Sequence, residues 1–116
     1  MSPPTPNQRV ILVTAPDRDT ARRLITAVLE AHLAACANIV PGIESHYWWE
    51  GTLESATECL ILFKTHASRQ PDLEAKIHEL HPYDVPECIA LDIHSGSSAY
   101  QRWIDESCQV DRTSSK

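Results

Sequence analysis

Six side chains carry the chemistry this sequence could offer: Cys36, Trp49, Lys64, His78, His81 and Tyr83. His78 and His81 are spaced i, i+3 and can share one helix face, where two imidazoles with a thiol such as Cys36 would suit a soft divalent ion. The plainer reading is two histidines at a helix end, where the macrodipole favours cations. Lys64 follows the apolar run 60–63. There it can meet an anion, act as a base if desolvated, or simply carry its ammonium out to water. Tyr83 stands between Pro82 and Asp84 on a rigid connector and can present its hydroxyl to a cleft or pack. Trp49 closes the triplet Tyr47, Trp48, Trp49. By strand alternation Trp48 and Trp49 face opposite sides, so at most one lines a given pocket and the others fill a core or an interface. A hypothesised cleft therefore combines Trp49, Lys64, Tyr83 and His81, with Lys64 favouring an anionic group.

Other chemistries find no support. A nucleophile elbow of the G-x-S-x-G type is absent, and three glycines cannot build a phosphate cradle. Cys36, Cys59, Cys88 and Cys108 form no C-x-x-C pair. The first three lie in apolar runs, where a free cysteine behaves as a small buried hydrophobe.

The elements that must position these groups follow from periodicity. Residues 10–14, VILVT, read as a central strand ended by Pro16-Asp17. Asp17 or Asp19 can cap a helix whose Ala21, Leu24, Ile25, Val28 and Leu29 form one apolar stripe. Two long extended segments then flank Glu50-Gly51-Thr52 and pair as a hairpin with arms of about a dozen residues, each on the order of 40 Å long. Pro41-Gly42 interrupts the first arm and predicts a bulge or bend. Ser68 can cap a second helix with Pro71 in its first turn and Leu73, Ile77 and Leu80 as its stripe; His81-Pro82 ends it. Residues 82–86 form an extended connector, and 88–94 a fourth strand with Ile89, Leu91 and Ile93 on one face. A last helix carries Tyr100, Trp103 and Ile104.

The order is β-α-β-β-α-β plus a C-terminal helix, the ferredoxin-like α+β pattern in which both helices cover one face of an antiparallel sheet. One domain over residues 9–108 is expected, between disordered polar tails at 1–8 and 109–116. The 116 residues are 42% hydrophobic and carry a formal net charge of −6. That charge disfavours nucleic acid and anionic membranes as partners. No run approaches a membrane span, and MSPPTPNQR has no apolar signal-peptide region, so a cytoplasmic protein with reduced thiols is expected.

The segments TAPD (14–17), LAACANIVPGIESHYWWEG (33–51), FKT (63–65), HPYDVPE (81–87) and the closing Tyr100…Trp103 resemble the CutA family of divalent-cation tolerance proteins. The resemblance runs from about Val10 to Ser107. It implies a ferredoxin-like subunit in a homotrimer like the PII signalling proteins, a link to tolerance of copper and other divalent metals, and no firmly assigned reaction. The copper site implied by the resemblance uses a first-strand cysteine and a His-His pair before Pro-Tyr. Here those positions are Val13 and Leu80-His81, so only His81 carries over.

Three functional readings follow. The first is a non-enzymatic trimer of metal homeostasis whose inter-subunit clefts hold a metal or small ligand. The second is a PII-like signalling or platform protein. The third is an enzyme with an inter-subunit site around Lys64, Tyr83 and His81. The length of the hairpin favours self-assembly in each case, because exposed strand edges and aromatic rings need cover.

Overall fold

Eight residues at the start of the described chain, QRVILVTA, form the central strand β1 (Gln8–Ala15), and its burial alternates as a strand with one packed face should. The computed structural model describes residues 7–110. Gln8, assigned to the tail by its polarity, instead opens β1 opposite His66. Asn7, Gln109 and Val110, also assigned to the tails, are held by backbone bonds: the Asn7 carbonyl accepts from the Ala67 N–H, and the Gln109 and Val110 N–H groups donate to the Glu106 and Asp105 carbonyls. The remaining expected tail residues, 1–6 and 111–116, lie outside the described residues.

Helix α1 (Arg18–Glu30) starts where Asp17 accepts a hydrogen bond from the Thr20 backbone N–H at 2.7 Å. Its Ala21, Leu24 and Val28 are buried, with Ile25 and Leu29 packed at the edge of the same cluster. Strands β2 (Cys36–Trp49) and β3 (Thr52–His66) form the long hairpin. Glu50 and Gly51 make its two-residue turn with φ of 49° and 79°. Two positive φ values suit the twist of a tight hairpin, and glycine takes such a value without strain. The register shifts between Val40 and Ile43, so Pro41-Gly42 is the expected bulge.

The second helical segment departs from expectation at its start. A single 3₁₀ turn (Ala67–Arg69) precedes α2 (Gln70–Leu80), and the imidazole of His66, not Ser68, accepts the capping bond from the Ser68 N–H. His66 can do this because its backbone is still extended while its ring nitrogen already faces the turn. Leu73 and Ile77 are buried as expected, but Leu80 is exposed. After α2 the chain bends through residues 82–85 rather than extending, and strand β4 (Ile89–Asp92) is shorter than the expected segment. Helix α3 (Ser98–Ser107) is capped by Ser97.

The sheet is antiparallel throughout, in the order β2-β3-β1-β4. This is the ferredoxin-like α+β architecture. Ile11, Val13 and Ala15 of β1 meet Ile61 and Phe63 of β3 under the helices. Thr65, also on that side, donates its hydroxyl to the Leu33 carbonyl at 2.6 Å, which removes the cost of burying it. On the other sheet face the described residues place neither α1 nor α2. Val10, Leu12, Leu60 and Leu62 lie there half-buried by one another, beside Ile89 and Leu91, each 48% exposed.

β1 ends at Ala15 opposite Cys59, whereas the hairpin continues to Thr52. Its outer part thus stands clear of the other two strands and stretches the molecule to 51 × 33 × 22 Å.

Candidate functional site

Where the hairpin leaves the sheet, a cavity of about 630 Å³, the hairpin-root cavity, opens between the free part of the hairpin and the bent connector after α2. Four segments line it: Thr14 at the end of β1, the Ser45–Trp49 stretch of β2, Glu58 of β3, and Tyr83, Asp84, Val85 and Glu87 of the connector.

His81 fixes the connector. It is 8% exposed, its Nε2 lies 2.7 Å from the Thr14 carbonyl oxygen, and its Nδ1 accepts from the Tyr83 N–H at 3.1 Å. The proton therefore sits on Nε2, donating to Thr14, with Nδ1 the acceptor. The imidazole and the Tyr83 ring stack at 4.6 Å between centroids, tilted by 50°. So held, Tyr83 donates its hydroxyl to Glu58 Oε2 at 2.6 Å. Glu58 is only 7% exposed. Burial first, and then the bond to Glu58 and its charge, push the Tyr83 phenol well above its ordinary range. Burial and then the Glu58 charge also raise the Glu87 carboxyl.

The aromatic wall comes from the hairpin. Tyr47, Trp48 and Trp49 all line the cavity, so the expectation that at most one of Trp48 and Trp49 lines a given pocket fails. The cavity runs along the hairpin's free part, where neither sheet face is packed, and Trp48 is 73% exposed against 42% and 46% for Tyr47 and Trp49. His46 also reaches the cavity and is tied to Glu44 at 2.6 Å.

Of the residues singled out from the sequence, Trp49 and Tyr83 thus share one cavity, and His81 supports it from behind. Lys64 lies elsewhere: it is six residues along β3 from Glu58, about 20 Å at strand rise. There its ammonium donates to Asn38, directly beside Cys36, its partner across the ladder. Cys36 Sγ in turn lies 3.5 Å from the Tyr100 hydroxyl. Within one subunit the lysine therefore cannot favour an anion at the Trp49 cavity, whose charged connector and strand residues are the carboxylates Glu58, Asp84 and Glu87.

The grouping of His78, His81 and Cys36 around one ion also fails in a single subunit. Both His81 nitrogens are engaged, His78 is exposed on the last turn of α2, and Cys36 lies level with Val10, four residues from Thr14 along β1 and so about 13 Å away. Among the described residues no three His, Cys, Asp or Glu side chains are placed to hold a metal ion. The donor set does not fit a copper centre built by one chain.

Sequence reasoning missed Glu58, Asp84, Glu87 and Thr14. One signal was present for Glu58: it shares a sheet face with Leu60 and Leu62, so strand period two places a carboxylate in line with apolar side chains.

Comparison with known proteins gives a single answer. Residues 9–107 match the family described as CutA1 divalent ion tolerance protein. The divalent-cation tolerance protein CutA of Thermus thermophilus is 42% identical over 99 residues, covering 85% of this chain and 96% of that protein. The chloroplastic CutA proteins of Oryza sativa and Arabidopsis thaliana are 44% and 45% identical over 84% of this chain. The chain spans only 55% and 54% of the length of those two plant relatives. Among solved structures, the Thermus thermophilus protein superposes with a TM-score of 0.84 at 42% identity, covering 86% of this chain and 97% of that one. CutA1 from Oryza sativa gives 0.85 at 41% identity, covering 93% and 97%.

Proposed function

The chain belongs to the CutA1 divalent ion tolerance family, and from that premise we propose that it works as a non-enzymatic homotrimer that serves divalent-cation tolerance and holds a small ligand at the hairpin-root cavity. The observation that carries the assembly is the uncovered sheet face. Among the described residues Val10, Leu12, Leu60, Leu62, Ile89 and Leu91 lie on it with neither α1 nor α2 above, and the free part of the hairpin carries Trp48 and Leu53, 73% and 61% exposed. A monomer leaves all of these in contact with water. Each large apolar side chain buried fully between copies contributes roughly 1.5–3 kcal/mol, so a few per contact outweigh the cost of association. Cyclic closure of three copies leaves no face unused, and three is the number the family resemblance implies.

The absence of turnover is part of the same reading. The relatives are named tolerance proteins, and the cavity's one strong polar pair, Tyr83 with Glu58, is a phenol held protonated against its own acceptor. Divalent-ion binding is correspondingly weak, through exposed groups such as His78 or through donors brought together by neighbouring copies. A cytoplasmic setting fits the four free cysteines.

Sedimentation at low micromolar concentration tests the assembly. A species of three times 13.0 kDa is expected. A folded, stable monomer overturns the proposal, and Trp48→Glu should reduce assembly and thermal stability together.

A further inference from the structure

We propose that the hairpin-root cavity selects an organic cation, a ligand carrying an aliphatic ammonium or guanidinium group. The inference rests on the reading of this cavity as the protein's ligand cleft and names the chemical class it takes.

Charge comes first. Glu58 is 7% exposed, and among the described residues its carboxylate's hydrogen bond is from the neutral Tyr83 hydroxyl. Among the described residues the ion pairs lie elsewhere, Arg9 with Asp92, Arg22 with Asp19, His46 with Glu44 and Lys76 with Glu79. A buried carboxylate without a cation is costly unless something else brings the positive charge. Asp84 and Glu87 line the same cavity, and the Glu87 carboxyl responds to the Glu58 charge, so the negative potential is shared across the wall.

The shape of that wall narrows the class. Tyr47, Trp48, Trp49 and Tyr83 line the same cavity as the carboxylates; Tyr83 bonds Glu58 directly, and Trp49 stands toward the hairpin tip, six residues along β2 from Ile43, the ladder partner of Glu58. A weakly hydrated organic cation gains from a π face as well as from the charge, whereas a small metal ion demands several converging oxygen or nitrogen donors. No three His, Cys, Asp or Glu side chains converge in this way among the described residues. An anion meets only repulsion from Glu58, Asp84 and Glu87. The volume, about 630 Å³, falls within the roughly 300–1,000 Å³ of small-molecule sites, far more than one bare ion needs.

Titration calorimetry and tryptophan fluorescence on the intact protein test this with 1,5-diaminopentane and tetramethylammonium chloride. Sodium phosphate and zinc chloride at matched ionic strength are the comparators. Saturable binding of both ammonium probes is expected, weakened about tenfold by Glu58→Gln and, for the diamine, which reaches further along the cavity, by Trp49→Ala. Glu87→Gln, at a less buried carboxyl, should weaken it in the same direction without risk to the fold. Failure of either ammonium probe to saturate, indifference to all three substitutions, or tighter binding of phosphate overturns the inference. So does ammonium binding that emerges only in Lys64→Met, since a neighbour's lysine would then be filling the site. Sedimentation of the same samples separates the two proposals. A trimer that ignores ammonium overturns the ligand class alone, and a monomer that binds it supports the ligand class while overturning the assembly.

Discussion

Replacing Tyr83 with Phe removes one oxygen atom and isolates the contribution of the pair at the cavity's centre. The Tyr83 hydroxyl lies 2.6 Å from Glu58 Oε2, and Glu58 is almost wholly shielded from water. Without the phenol, that carboxylate keeps its burial and loses its donor. Hydrogen bonds to charged groups contribute about 1.5–3 kcal/mol, so Tyr83→Phe should lower stability by about that much per subunit at pH 7, roughly 10–150-fold in the folding equilibrium. The pH dependence has a definite sign. The folded-state pKa of the phenol is raised, by burial first and then by Glu58. The stability it contributes is therefore fully present below the unfolded value of about 10 and lost as pH rises through the folded value. The gap between wild type and Tyr83→Phe should narrow from about pH 10 upward. Urea unfolding at one fixed protein concentration measures this, since the stability of an assembling chain depends on concentration. A gap below about 0.5 kcal/mol at pH 7 would refute the reasoning, as would zero coupling between Tyr83→Phe and Glu58→Gln in a double-mutant cycle.

Other substitutions probe separate parts of the molecule. At the hairpin tip, Gly51→Ala forces a side chain onto φ of 79° and should cost about 1 kcal/mol, whereas Glu50→Asn, at φ of 49°, should add a few tenths; thermal unfolding reads both. The Cys88 thiol is pushed up to about 11 by burial and then by the charges of Glu74 and Glu87. At pH 8.5 it should alkylate on the order of a hundredfold more slowly than an ordinary thiol, recovering as pH rises through its own value; equal rates by peptide mass mapping would contradict this. His81→Ala should cost about 1–3 kcal/mol of stability while leaving copper(II) affinity by calorimetry unchanged, because its nitrogens hold Thr14 and Tyr83; a lost copper site would restore a metal role.

The fold was legible because its signals are periodic and local. VILVT, the stripe from Ala21 to Leu29, the Pro41-Gly42 interruption and Gly51 each act within a few residues of themselves, and each appears where its pattern put it. The misses arise where tertiary contacts override local chemistry. Ser68 has the cap residue's chemistry, but His66 reached the turn first. Residues 82–85 have the composition of an extended connector, yet His81 anchors them to β1 and bends them. Helix ends were equally hard to read, since His32 and Gln109 take positive φ where a glycine is the usual marker. The site was half legible. Trp49 and Tyr83 stand out by residue type, but the cavity they share with Glu58 is set by the distance β3 travels past the end of β1, which no local pattern encodes.

The central position of β1 has a consequence for the way the chain is made. The strand emerges from the ribosome before β2, β3 and β4, yet it pairs with β3 on one side and with β4 on the other. About 75 residues separate Ala15 from Ile89, so at roughly 5–20 residues per second the VILV run waits on the order of 4–15 s for its second partner. The hairpin closes through its own turn in microseconds and can receive β1 along β3 well before then. Until that docking, a short, uncharged, β-branched segment is exposed on the nascent chain, the composition that seeds aggregation. Synthesis rate and chaperone supply, more than the equilibrium stability of the finished sheet, should therefore limit the yield of this protein in cells. Slower translation up to the end of β3 should lengthen the vulnerable interval in proportion.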